Sequence, residues 1–238
     1  MNFLKLVTII VIQFFCSHFS NAQSKTDSID AYTIINNSIE AIGGKEYLQT
    51  IKTLYTDTKT EMEGREVHWI VKEMVPNKGS FQITYKNRRI YESWFNGRKG
   101  FEIINGTKKK ADDDEFKNKA FKKNIFDELD YIDSSLWKLE LLGEENVDNN
   151  PCYKIKATLV NGFVAILYFS KSSFYMLKKE NIKNSEKKRL SSIVYSSFKK
   201  FGKLIYCTEI EYEASGQVKN GKVESLLINE MVDESDFN

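Results

Sequence analysis

The chain has 238 residues, of which 41% are hydrophobic, 13% aromatic and 29% charged, with 35 basic against 33 acidic side chains and a formal net charge of +2. That much apolar material excludes a disordered chain, and so small a basic excess excludes the broad positive surface with which proteins hold nucleic acid. Two prolines and twelve glycines leave no linker-like stretch, so a single sizeable domain is expected.

Lys5, followed by the almost unbroken apolar run 6–15, has the charge and length of a secretory signal peptide and is too short to span a bilayer. The small residues of Ser20-Asn21-Ala22 mark a cleavage site, which makes 1–22 the signal peptide and 23–238 one mature domain, beginning at Gln23 in the periplasm. Cys16 offers a competing reading as an acylated lipoprotein cysteine, but Phe14 and Phe15 are bulkier than the residues that precede such a cysteine. Export to an oxidising space leaves two readings for Cys152 and Cys207, a disulfide or two buried free thiols, because spacing along the chain does not fix the distance between them.

Tyr32, Ile35, Ile39 and Ile42 recur at helical spacing over 28–42, with Asp30 in the first turn and Gly43-Gly44 as a stop, which predicts one amphipathic helix. Gly43-Gly44-Lys45 lacks the upstream glycine and the preceding strand of a phosphate loop, so it reads as a helix cap. Alternation then takes over. Leu54, Thr56, Thr58, Thr60 and Met62 share one face of a first strand, and Val67, Trp69 and Val71 alternate in a second. After the break at 76–79 come Phe81, Ile83 and Tyr85, then Ile90 with Trp94, then Phe101 with Ile103. Turns as short as Glu63-Gly64, Asn96-Gly97 and Asn105-Gly106 cannot carry a parallel crossover, so these neighbours must be antiparallel.

Over 108–114 the pattern lapses into charge, after which Phe116, Phe121, Ile125, Leu129 and Ile132 recur at helical spacing and predict a helical insertion between two halves of a sheet. The acidic run 112–115 lacks the alternate spacing and central glycine of a calcium loop, and reads as a solvated face or a helix start. From Leu136 the strands resume with Tyr153, Ile155, Ala157 and Leu159, the turn Asn161-Gly162, and Phe163, Ala165, Leu167 and Phe169. Long strands over 190–198, 204–212 and 223–231 complete about ten or eleven in meander order. One histidine, His68, survives signal removal, in mid-strand and without metal-ligand spacing. With no Gly-x-Ser-x-Gly elbow and no Cys-His signature, no catalytic residue, metal or cofactor is expected.

The stretch Tyr195-Ser196-Ser197-Phe198-Lys199-Lys200-Phe201-Gly202, the strand after it, the turn containing Gly216 and the ending Val232-Asp233-Glu234-Ser235-Asp236-Phe237 resemble the carboxy-terminal pattern of the LolA/LolB-like lipoprotein carriers. Ala41-Ile42-Gly43-Gly44-Lys45, and a signal peptide ending in Asn21-Ala22-Gln23, resemble envelope members of that family from Bacteroidetes. The resemblance follows element order through nearly all of the mature chain. It implies a mainly β fold with some α structure, an incomplete antiparallel β-barrel curled round an apolar concavity and covered by helices. The function it implies is that of a monomeric periplasmic carrier, which holds lipoprotein or lipid acyl chains for transfer towards the outer membrane between inner- and outer-membrane partners. A non-catalytic envelope module that binds a partner protein without lipid is the alternative. Trp69, Phe81, Trp94, Phe101, Leu167 and Phe169 are the candidates for lining the concavity, and ordinary core is the other reading for each.

Overall fold

The computed structural model describes residues 29–104, 106–112, 116–183, 188–214 and 217–238. The expected signal peptide 1–22 with Cys16 lies outside the described residues, as do Gly216 and most of the acidic run 112–115.

The first helix, α1 (Ala31–Ile42), starts where Asp30 accepts a hydrogen bond from the Thr33 N–H at 2.7 Å, satisfying one of the donors that a helix start leaves over. Ile34, Ile35, Ile39 and Ile42 fall on one face and are buried. Gly43, at φ 148°, ends the helix, and the Gly44 N–H reaches back to the Ile39 carbonyl at 2.9 Å. A side chain at Gly43 would also stand 3.1 Å from the Lys203 carbonyl, so glycine serves both the turn and a close backbone approach. Helix then resumes briefly as α2 (Lys45–Thr50), beyond the glycine pair at which it was expected to end.

The strands are β1 (Thr53–Met62), β2 (Arg65–Met74), β3 (Lys78–Tyr85), β4 (Arg88–Phe95), β5 (Gly100–Ile104), β6 (Thr107–Lys110), β7 (Trp137–Val147), β8 (Asn150–Leu159), β9 (Val164–Ser170), β10 (Met176–Lys183), β11 (Lys188–Phe201), β12 (Leu204–Ala214) and β13 (Gln217–Ile228). Among the described residues these thirteen form one sheet, ordered β6-β5-β4-β3-β2-β1-β13-β12-β11-β10-β9-β8-β7. Each half is an antiparallel meander, but the halves are not joined in chain order. β6 and β7 are the two edges, and β1 pairs with β13, from Leu54 with Ile228 to Thr60 with Gly221. The expected count of ten or eleven strands omits β6 and β10. Thr-Lys-Lys-Lys of β6 is wholly exposed, an edge strand whose charge discourages further pairing and which has no alternation to read. In β10 the inward Lys179 is ion-paired where the pattern leads one to look for an apolar residue.

Directly paired residues of an antiparallel ladder point to the same face. Thr56, Thr58 and Thr60 of β1 therefore share a face with Val67, Trp69 and Val71 of β2, with Phe81 and Ile83 of β3, and with Ile210 and Tyr212 of β12. Three inter-strand steps of ~4.8 Å separate β2 from β12. The Trp69 and Tyr212 rings nevertheless lie 4.5 Å apart, so the sheet curls strongly towards this face and makes it the concave one. α1 lies on it, and its isoleucines form one core with Ile155 and Ala157 of β8, Ala165, Leu167 and Phe169 of β9, and Leu54, Leu204 and Leu226.

Because β6 and β7 sit at opposite edges, the chain between them has to cross the open mouth of the sheet, and residues 116–136 do so over the concave face. The expected helical insertion is a series of short pieces: a 3-10 turn (Lys119–Phe121), a stretch without helix, and α3 (Asp127–Tyr131). Its apolar residues go to two separate anchors. Phe116 stacks on Phe95 of β4 at 5.8 Å, whereas Ile125, Phe126, Leu129 and Tyr131 enter the main core. Gly100 makes room for this, since a Cβ there would come within 2.1 Å of the Phe116 ring. On the convex face the closing 3-10 turn (Glu234–Phe237) docks through ion pairs of Lys72 with Asp236 and Lys78 with Glu234, and Phe237 is buried.

Cys152 and Cys207 are buried free thiols. Cys207 pairs with Phe198 on the concave side, whereas Cys152 points into the convex cluster of Val147 and Tyr168, so the sheet itself stands between the two sulfurs.

Candidate functional site

Between the concave sheet, the end of α1 and the insertion lies a cavity of about 460 Å³. Ile42 of α1, Leu54 of β1, Val71 of β2, Ile193 and Phe198 of β11 and Ile205 of β12 wall it, and Ile125 and Phe126 of the insertion roof it. Val71 pairs with Phe81 and Ile193 with Tyr212, so the same face continues past the cavity as an aromatic row. There Trp69 meets Phe81 edge-on at 5.8 Å, and Phe81 meets Tyr91 at 6.1 Å.

An ion network fastens the roof. Lys122 bridges Glu73 of β2 at 3.2 Å and Asp127 of α3 at 3.0 Å, and Asp127 also accepts from Lys179 of β10 at 2.6 Å. The insertion is thus tied to both halves of the sheet. Burial alone would raise the Asp127 carboxyl, but the two ammonium groups hold it far below the usual carboxylate range. The same attraction outweighs burial at Lys122 and Lys179 and holds both above the usual lysine range. Glu128, next in α3 and facing the cavity, is pushed up to about 7 by burial. Sequence reasoning passed over this network. Its one legible signal was Glu73, a carboxylate in the inward row of Val67, Trp69 and Val71.

A smaller cavity of about 230 Å³ lies beside the first, with Lys122 and Asp127 lining both. Lys119, Lys179, Tyr131, Asn181 and Asp130 give it a polar wall, and Trp137 and Phe163 an aromatic one.

The six residues expected to line the concavity fall into three pairs. Trp69 and Phe81 stand on the concave face, half-buried, in the aromatic row beyond the cavity. Leu167 and Phe169 are on the same face but wholly buried beneath the helices as core. Trp94 and Phe101 are on the opposite face. Phe81 pairs with Ser93, so Trp94, one residue further on, points outward, where it stacks on Phe101 at 5.5 Å under the Lys108 ammonium. The hairpin signal gives the pairing of these two but not their side, because apolar Phe95 next to Trp94 leaves the alternation ambiguous. His68 lies away from the cavity, its Nδ1 2.8 Å from Asp57. Among the described residues no group of three or more His, Cys, Asp or Glu side chains is placed to hold a metal, and no helix is long and apolar enough to cross a membrane.

No protein-family model matches the sequence, and no curated protein matches it. Solved structures do. A LolA superfamily protein from Nitrosomonas europaea aligns with a TM-score of 0.61 and 14% identity, over 89% of this chain and 98% of its own. A domain named for outer membrane lipoprotein sorting, from Vibrio parahaemolyticus, aligns with a TM-score of 0.58 and 10% identity, over 87% of this chain and 95% of its own. A DUF1329 family protein from Desulfovibrio piger aligns at 0.57 with 13% identity, over 86% and 95%. At such identities the likeness is one of fold. The chain therefore has the LolA-like fold, an open, curled antiparallel sheet with its helices on the concave side.

Proposed function

We propose that the protein is a periplasmic carrier or binder of lipid or lipoprotein acyl chains, holding them under the insertion for transfer towards the outer membrane. The observation that carries this reading is the apolar cavity of about 460 Å³. Taking a methylene group to fill about the same 30 Å³ as a water in the liquid, the cavity accommodates roughly fifteen, one long acyl chain. Each methylene taken out of water contributes about 0.8 kcal/mol, so ten give about 8 kcal/mol gross, and affinity needs greasy volume more than special chemistry. The LolA-like fold supports the reading, and the expected signal peptide 1–22 supports the compartment. In this reading Trp69 and Phe81 extend the acyl surface, Leu167 and Phe169 support it as core, and Trp94 and Phe101 have no ligand role. No residue is assigned to catalysis.

Mass spectrometry of an organic extract of the purified mature protein is expected to show acyl lipid, and the emptied protein to take up a fluorescent fatty acid. A clean extract together with no uptake overturns the proposal in favour of a module that binds a partner protein without lipid.

A further inference from the structure

The smaller cavity is more polar than the larger one, and an acyl chain does not account for the ammonium groups on its wall. Three ammonium groups, those of Lys119, Lys122 and Lys179, border its 230 Å³ together with the Tyr131 hydroxyl and Asn181, against two carboxylates, Asp127 and Asp130. An ammonium group carries three donors. That of Lys122 is shared by Glu73 and Asp127, while that of Lys179 has Asp127 alone as its carboxylate. Lys119 has one carboxylate in reach among the described residues, Glu73 at 3.9 Å, which Lys122 already holds at 3.2 Å. Tyr131 is 1% exposed, and its hydroxyl, which faces the Lys179 ammonium, finds no acceptor for its proton. Asn181 Oδ1 is buried without a hydrogen-bond partner. Asp130, the other carboxylate on the wall, is already engaged, accepting from the Lys123 N–H at 3.2 Å and the Asn124 amide at 2.7 Å.

The sheet also leaves room for the least satisfied of these groups. A Cβ at Gly79 would come within 2.4 Å of Lys119 Nζ, so β3 lacks a side chain at the point where the ammonium lies. Burial draws Lys119 below the usual lysine range, which makes it the member of the cluster that gains most from a negative partner.

We infer that the smaller cavity is a binding site for an oxyanion, a phosphate or carboxylate group held by Lys119, Lys179 and the Tyr131 hydroxyl. A singly protonated phosphate would in addition supply the donor that Asn181 Oδ1 lacks. Only the source of the anion rests on the proposed function. The two cavities share Lys122 and Asp127, so the headgroup of an anionic amphiphile can occupy this site while its chain lies in the larger one, whereas free phosphate would occupy it alone.

Calorimetric titration of the mature chain with decyl phosphate, decanol and inorganic phosphate tests the assignment. Decyl phosphate is expected to bind the wild type about tenfold more tightly than decanol, and Lys119→Met to bring that ratio down to about one. Gly79→Ala, which keeps Lys119 but displaces its ammonium, is expected to lower the ratio in the same way and serves if Lys119→Met does not fold. Binding of inorganic phosphate that Lys119→Met abolishes, with neither amphiphile bound, upholds the anion site and removes the acyl reading. Equal binding of decyl phosphate and decanol, with no binding of inorganic phosphate, overturns the anion site and leaves the acyl reading standing. A preference for decyl phosphate that persists in both variants overturns the assignment to Lys119, and no binding of any of the three overturns both readings.

Discussion

Trp69 and Trp94 look alike in the sequence, each an aromatic residue in an alternating strand, yet the sheet separates them by face. Trp94 is 4% exposed on the convex side and stacks on Phe101, so Trp94→Ala is expected to cost about 3–5 kcal/mol and to lower the melting temperature without changing fatty-acid affinity at temperatures where the fold persists. Trp69→Ala, at a half-buried position of the concave row, is expected to cost less stability and to weaken fatty-acid uptake severalfold. Thermal melts run beside titrations check the pair, and a Trp94→Ala protein that melts like the wild type but loses uptake would reverse the assignment of faces. The cysteines teach the same lesson. Strand membership was legible for both, but the face of each depends on register, which is set by partners far away in sequence. Burial pushes the Cys207 thiol up to about 12, so little thiolate exists at neutral pH. Alkylation of Cys152 and Cys207 is accordingly expected to await unfolding, and mild oxidation to leave the mass unchanged; a loss of two hydrogens would reveal a disulfide and contradict their placement.

At the scale of elements, the insertion was legible as the place where strand alternation stops and as a source of core residues, but not as short pieces. The apolar spacing of Phe116, Phe121, Ile125 and Leu129 runs on although Phe116 packs beside Phe95 and Ala111 while Ile125 and Leu129 enter the main core, and periodicity cannot distinguish such short pieces from one continuous helix. The charge on its inner side makes it responsive to pH. Glu128 loses its proton near 4.5 in an unfolded chain and at about 7 in the fold. Below 4.5 both states keep the proton, and between the two values only the folded state does, so stability falls as pH rises through this window. The loss amounts to a few kcal/mol and is complete above about 7. Asp127 acts in the opposite sense, since its lowered folded value gives stability that is present above 3.8 and lost as pH falls below it. Melting temperature is therefore expected to be higher at pH 5 than at pH 8, and Glu128→Gln to flatten that difference. Equal melts of the wild type at the two values would show that the Glu128 carboxyl is not held protonated. Lys122→Met, which leaves Glu73 and Asp127 facing each other with one cation fewer, is expected to destabilise by about 3–5 kcal/mol in chemical denaturation.

For the whole molecule, short turns such as Glu63-Gly64 and Asn161-Gly162 were enough to establish antiparallel neighbours, and the resemblance of the carboxy-terminal segment supplied the open barrel. What no local pattern carried is the seam between β1 and β13, because nothing near Leu54 names Ile228 as its partner. Every other ladder in the sheet joins strands that are consecutive in sequence. Local ladders close quickly, whereas the entropy of closing a loop grows with its length, so two half-sheets are expected to form first and the seam last. Leu54→Ala and Leu226→Ala should then speed unfolding with little effect on the refolding rate, while Ile155→Val in the β7–β8–β9 meander should slow refolding; stopped-flow kinetics distinguish the two classes. The cavity takes Val71 from one half-sheet and Ile193 from the other, so its walls do not face each other until that final closure. Room for a ligand is thus the last property the chain acquires, and a chain exported as proposed encloses no cavity until β13 has joined β1.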